Sequence, residues 1–169
     1  MINNKKTNIS HAEDKILEVI SKLQNEGETM PENVYDMPNL PFTNYDQLIN
    51  EVKSGNFFVQ RLAFRHAYEI FELVATPLQS KLNSTYLILA FGLPVISIIL
   101  AIFYSWWWLL GIISFFFLGK RARYIYDNVI LQSALDSELL FCFLYYIRQI
   151  SVTPSDRSTT YCFPRDAKS

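Results

Sequence analysis

LNSTYLILAFGLPVISIILAIFYSWWWLLGIISFFFLG, residues 82–119, is a run of 38 side chains without a charge, closed at its two ends by Lys81 and Lys120. As one helix it would measure about 57 Å at about 1.5 Å per residue. A bilayer's hydrocarbon core is about 30 Å thick and about 20 residues cross it. A single span would have to tilt far beyond the usual ~20° to hide the excess. Folded in half, the run gives two arms, about 85–103 and 106–120, each near one bilayer in length, so residues 84–119 are expected to form a transmembrane hairpin. Its midpoint is Phe103-Tyr104-Ser105-Trp106-Trp107-Trp108. Tyrosine and tryptophan favour the membrane–water boundary, where the ring is half buried and the polar atom is wet. Tyr104, Trp106, Trp107 and Trp108 are therefore expected to anchor the tip. The turn holds neither Gly nor Pro, and Pro94 should kink the first arm after Leu93. A re-entrant wedge that never crosses fully is the competing geometry.

The cations orient the hairpin. Arg61, Arg65 and Lys81 precede the first arm, Lys120, Arg121 and Arg123 follow the second, and the connection has none. By the positive-inside rule both flanks, and so both termini, are expected to be cytoplasmic. Lys81, Lys120, Arg121 and Arg123 join the aromatic residues as interface anchors. The glycosylation-like triplets at Asn8 and Asn83 are then chance matches. The polar start, Met1 to Ser10, lacks the apolar core of a cleaved signal peptide, so insertion is expected to be directed by the internal run.

Outside the run the pattern is helical, and the expected class is all-α. Residues 1–55 read as a polar cytoplasmic region. Ser10 and Glu13 suggest a capping box opening a helix over about 11–26, with Ile16, Leu17, Val19, Ile20 and Leu23 as an apolar face. A Pro-rich linker, 28–42, carries Pro31, Pro38 and Pro41, and reads either as a segment lying on the protein's own surface or as a docking motif. Thr43 or Asn44 then caps a helix over about 44–54. Residues 56–82 read as a juxtamembrane helix, because Arg61, Arg65, Glu69 and Glu72 fall at helical spacings among large apolar groups. A second cytoplasmic helix covers 121–152, with Leu62, Phe64, Phe71 and Leu135 expected to pack the two into a stalk continuing the hairpin. Leu139 to Ile147 is apolar all round. A third span there would bring in Asp136 and Glu138, each costing roughly 2.5–3.5 kcal/mol at the bilayer centre, so a helix outside the membrane is preferred. The tail, 153–169, reads as disordered.

The chemistry-bearing residues are sparse. No phosphate loop, dinucleotide fingerprint, zinc-protease motif or C-x-x-C occurs, and His11, His66, Cys142 and Cys162 make no zinc-like spacing. No enzyme, cofactor or metal site is expected. Formal net charge is −1, which disfavours nucleic acid as a partner. The expected partners are the lipid bilayer and either a protein recognised by the amino-terminal region or further copies of the chain.

Three functions remain open at this point. The first is a membrane-anchored, non-enzymatic interaction or regulatory protein, such as a small bacterial regulator or an immunity-type protein. The second is a homo-oligomeric two-transmembrane channel or membrane-disrupting effector. The layout of helix, two spans and helix, with the run Phe91-Gly92-Leu93-Pro94-Val95, resembles the two-transmembrane effectors of bacterial conflict systems over about half the chain, and that resemblance implies such an activity. The third is a membrane-shaping hairpin occupying mainly one leaflet.

Overall fold

A computed structural model describes residues 2–25, 30–62, 67–106 and 111–164. The chain is mostly helical with two short strands, and it divides into two compact units. Unit 1 is Met1–Val74 with Ile130–Ser169, and unit 2 is Ala75–Val129.

Unit 1 begins with α1 (Ile2–Asn25), which buries Ala12, Ile16 and Ile20 at every fourth residue, the spacing of one helix face. The helix passes through Ser10, so the capping box expected there does not form. Extending a nucleated helix gains a hydrogen bond per residue without a new nucleus, and that carries it through the polar residues before Ser10. It packs on α3 (Ala67–Val74), whose Ile70, Phe71 and Val74 are buried. Between them, residues 30–42 lie on the unit's own core through buried Met30, Val34, Met37 and Phe42, with a single 3-10 turn at Val34–Asp36. Next comes α2 (Tyr45–Lys53), capped by Asn44, whose side chain accepts from the Gln47 N–H at 2.8 Å. Gly55, at φ 79°, turns the chain out of it.

The all-α expectation is corrected by an antiparallel ladder between β1 (Phe57–Arg61) and β2 (Ile150–Pro154), with Val59 opposite Val152 and Arg61 opposite Ile150. The ladder runs on through the Leu62 N–H to Gln149 O and the Ser155 N–H to Asn56 O, both 2.8 Å. Tyr161 bridges Val152 from the other side, and Phe163 is buried. Residues 56–82 are therefore strand, loop and parts of two helices rather than one helix, and residues 153–164 belong to the fold rather than to a disordered tail. Aromatic and β-branched side chains, Phe57-Phe58-Val59 against Ile150, Val152 and Thr153, suit a pleated, half-buried surface.

The expected helix over 121–152 is also interrupted. α5 (Gly111–Asp136) stops where Ser137 turns extended (φ −145°, ψ 126°), and Ser137 caps α6 (Glu138–Tyr146). Every residue from Leu140 to Tyr146 is buried. Apolarity on all sides here marks a helix inside a protein core, and nine residues rise only about 13 Å, too short to span a bilayer. Phe141 and Tyr145 stack at 6.1 Å, and Phe163 meets Tyr146 edge-on at 4.9 Å. Arg148, at φ 59°, makes the left-handed turn from α6 to β2.

Unit 2 holds α4 (Pro77–Phe103) and the first part of α5. Thr76 and Gln79 form a reciprocal capping box, and Pro77 occupies the first turn, where its missing N–H costs nothing. The helix thus starts before the arm expected at about 85 and runs unbroken through Pro94. Among the described residues it is the one helix long and apolar enough to cross a membrane. In α5 the uncharged stretch Gly111–Gly119 gives way to Lys120, Arg121 and Arg123 within the same helix. The described part of the expected second arm is thus about 13 Å long, and residues 107–110 lie outside the described residues.

Candidate membrane-contacting surface

In α4 apolar side chains are exposed around most of the helix. Ile88, Ile102 and Phe103 are 71%, 74% and 76% exposed, and only 11% of its most apolar 18-residue window is buried. The hidden positions are Asn83, Ala90 and Ser97, seven apart and therefore on one face. In α5, Phe116 and Phe117 are exposed and Ala122 is buried. The two helices meet through Phe91 and Phe115, edge-on at 5.5 Å. Soluble monomers seldom expose a contiguous apolar patch beyond a few hundred Å², and larger ones mark partner or membrane contacts.

The expected anchors fall at the ends of this surface. Tyr104, the C-cap of α4, and Trp106 are largely exposed, while Trp107 and Trp108 lie outside the described residues. Lys81, Lys120, Arg121 and Arg123 are all exposed, and Arg123 pairs with Asp127 at 3.7 Å. Three of the four proposed stalk residues are described, and they lie on separate segments. Phe71 is buried in α3, which packs on α1, whereas Leu62 is exposed just after β1 and Leu135 is half-buried near the end of α5. Phe64 lies outside the described residues.

Unit 1 holds a polar cleft of about 320 Å³ that sequence reasoning missed, lined by Asn33, Tyr35, Thr43, Asn44, Tyr45, Asp46 and Glu138. Glu138 accepts the Val34 N–H at 3.0 Å, and the Tyr45 hydroxyl donates to Ala134 O at 2.7 Å. Ser137 donates to Glu13 beside them. Burial, reinforced by Asp136 and Glu138, raises the Tyr45 pKa well above the usual phenol value, so the hydroxyl remains a donor. The lining comes from three separate segments, and no spacing within any one of them signals a cleft. Burial pushes the nearby Cys142 thiol up to about 12, with Glu138 and Asp36 adding to the shift. A thiol so held is a poor nucleophile. Among the described residues no three His, Cys, Asp or Glu side chains are grouped to hold a metal ion. Compared with protein-family models, curated proteins and solved structures, the chain matches none.

Proposed function

We propose that the chain is a non-enzymatic interaction or regulatory protein, held in a bilayer by the hairpin of α4 and the start of α5, with unit 1 as its recognition domain. The observation that carries this reading is the outward exposure of α4's apolar side chains. Fully burying a large aliphatic or aromatic side chain is worth about 1.5–3 kcal/mol, and lipid is a medium that can cover such a helix on all its open sides. The second crossing on this reading is the arm expected over about 106–120, and the cations at the base of both arms favour cytoplasmic flanks. On this reading the cleft around Glu138 and Tyr45 is the part of unit 1 that offers a concave, acidic surface to a partner.

The test is alkaline carbonate extraction of membranes from cells making the full chain, followed by protease treatment of sealed vesicles. The expected result is a chain that stays with the lipid pellet and has both ends cleaved from the cytoplasmic side. Release into the supernatant would overturn the anchoring, and ends on opposite sides would overturn the two-span topology. Native mass spectrometry from nanodiscs adds the subunit count. A ring of four or more copies would replace this reading with the homo-oligomeric channel.

A further inference from the structure

Unit 2 carries four cations, Lys81, Lys120, Arg121 and Arg123, against one carboxylate, Asp127, in a chain whose formal net charge is −1. Arg123 pairs with Asp127, but Lys81, Lys120 and Arg121 are exposed and make no ion pair among the described residues. Phe91 and Phe115 touch edge-on at 5.5 Å, which places these two residues at one level of the two helices. Lys120 stands five residues beyond Phe115, level with Tyr86, which stands five before Phe91; Lys81 is a further five residues down. For antiparallel helices the cations therefore fall in a band about 8 Å tall at about 1.5 Å per residue. A headgroup layer is about 5–8 Å deep on each side of the hydrocarbon. From Tyr86 to Tyr104 the apolar helix rises about 27 Å, close to the ~30 Å hydrocarbon core.

We propose that this band is a collar that binds anionic lipid headgroups. The inference rests on the anchoring proposed above and adds to it the class of lipid. A soluble anion would answer the charges alone. A neutral lipid would answer only the apolar side chains that begin immediately beyond them. An anionic lipid answers both, with its phosphate at Lys120 and Arg121 and its acyl chains along the exposed faces of α4 and α5. Cations near an anionic surface contribute roughly fivefold each to association, and salt screens the effect.

The test is electron spin resonance of the full chain in phosphatidylcholine bilayers containing spin-labelled phosphatidylglycerol or spin-labelled phosphatidylcholine. The expected result is a preference of roughly fivefold or more for the anionic label at low salt. That preference should fall toward one in the Lys120→Gln/Arg121→Gln variant and, without any substitution, in 1 M salt. Glutamine keeps helix propensity close to that of lysine and arginine, and circular dichroism checks that the helices persist. Equal association of the two labels with an incorporated wild-type chain would overturn the collar and leave the anchoring intact. A preference that survives both the variant and the salt would overturn these residues as its source. A chain that fails to enter the bilayer would overturn the anchoring and the collar together.

Discussion

In unit 1 the helix α6 hides every side chain from Leu140 to Tyr146, whereas in unit 2 the helix α4 leaves Ile88, Ile102 and Phe103 open on its surface. Both helices are predominantly apolar, so composition does not separate them. Length and company do. α6 has nine residues and is wrapped by elements of its own unit, while α4 has 27 residues and hides only a seam of small and polar ones. One helix is covered by its own unit, and the other leaves most of its apolar surface open.

Substitutions can break that contrast. The largest effect is expected from Phe141→Ala in the core of unit 1, which should cost about 3–5 kcal/mol. Hydrogen exchange of the α6 amides measures it, and a loss below about 1 kcal/mol would deny α6 its place in the core. Next comes Ile96→Asp near the middle of the apolar stretch from Tyr86 to Tyr104. An exposed site in water would tolerate it to within about 0.5 kcal/mol, but a carboxylate at the bilayer centre costs roughly 2.5–3.5 kcal/mol. Carbonate extraction decides between the two, and unchanged retention in the pellet would tell against a span centred there. Ser137→Ala removes the cap of α6 and the hydrogen bond to Glu13, with an expected loss of about 0.5–2 kcal/mol in urea unfolding. The smallest effect belongs to the turn after β2. The Ser158 N–H, donating at 3.0 Å, holds the Asp156 carboxylate below the ordinary aspartate value. A depressed carboxylate stabilises above its unfolded pKa and ceases to do so as pH falls through its folded one. Asp156 is fully exposed, so solvent screening should leave only a lowered midpoint in an NMR titration, with no shift in global unfolding.

The sequence made α4 legible because an uncharged run has few other uses, and made Asn44 legible because a cap is a local device. The ladder was hidden for the opposite reason. Phe57-Phe58-Val59 carries strand-forming side chains, but Arg61, Arg65 and Glu69 also fit helical spacing, and the deciding partner, Val152–Pro154, is more than ninety residues away. Strand preference depends on what lies across the ladder more than on the residue itself. Likewise Glu138 gave no sign that it would accept the Val34 N–H across the fold. The expected interface anchors rest on residue type alone, whereas the cleft draws on three segments that only the tertiary fold assembles.

The β1–β2 ladder also sets an order of events in biosynthesis. Arg61 cannot meet Ile150 until the intervening chain has been made, an interval of about 4–18 s at roughly 5–20 residues per second. The whole uncharged run, residues 82–119, is completed within that interval, before the strand that closes unit 1 exists. On the proposed anchoring, that run is on offer to the insertion machinery while unit 1 still lacks its last strand, and the unit is sealed behind it.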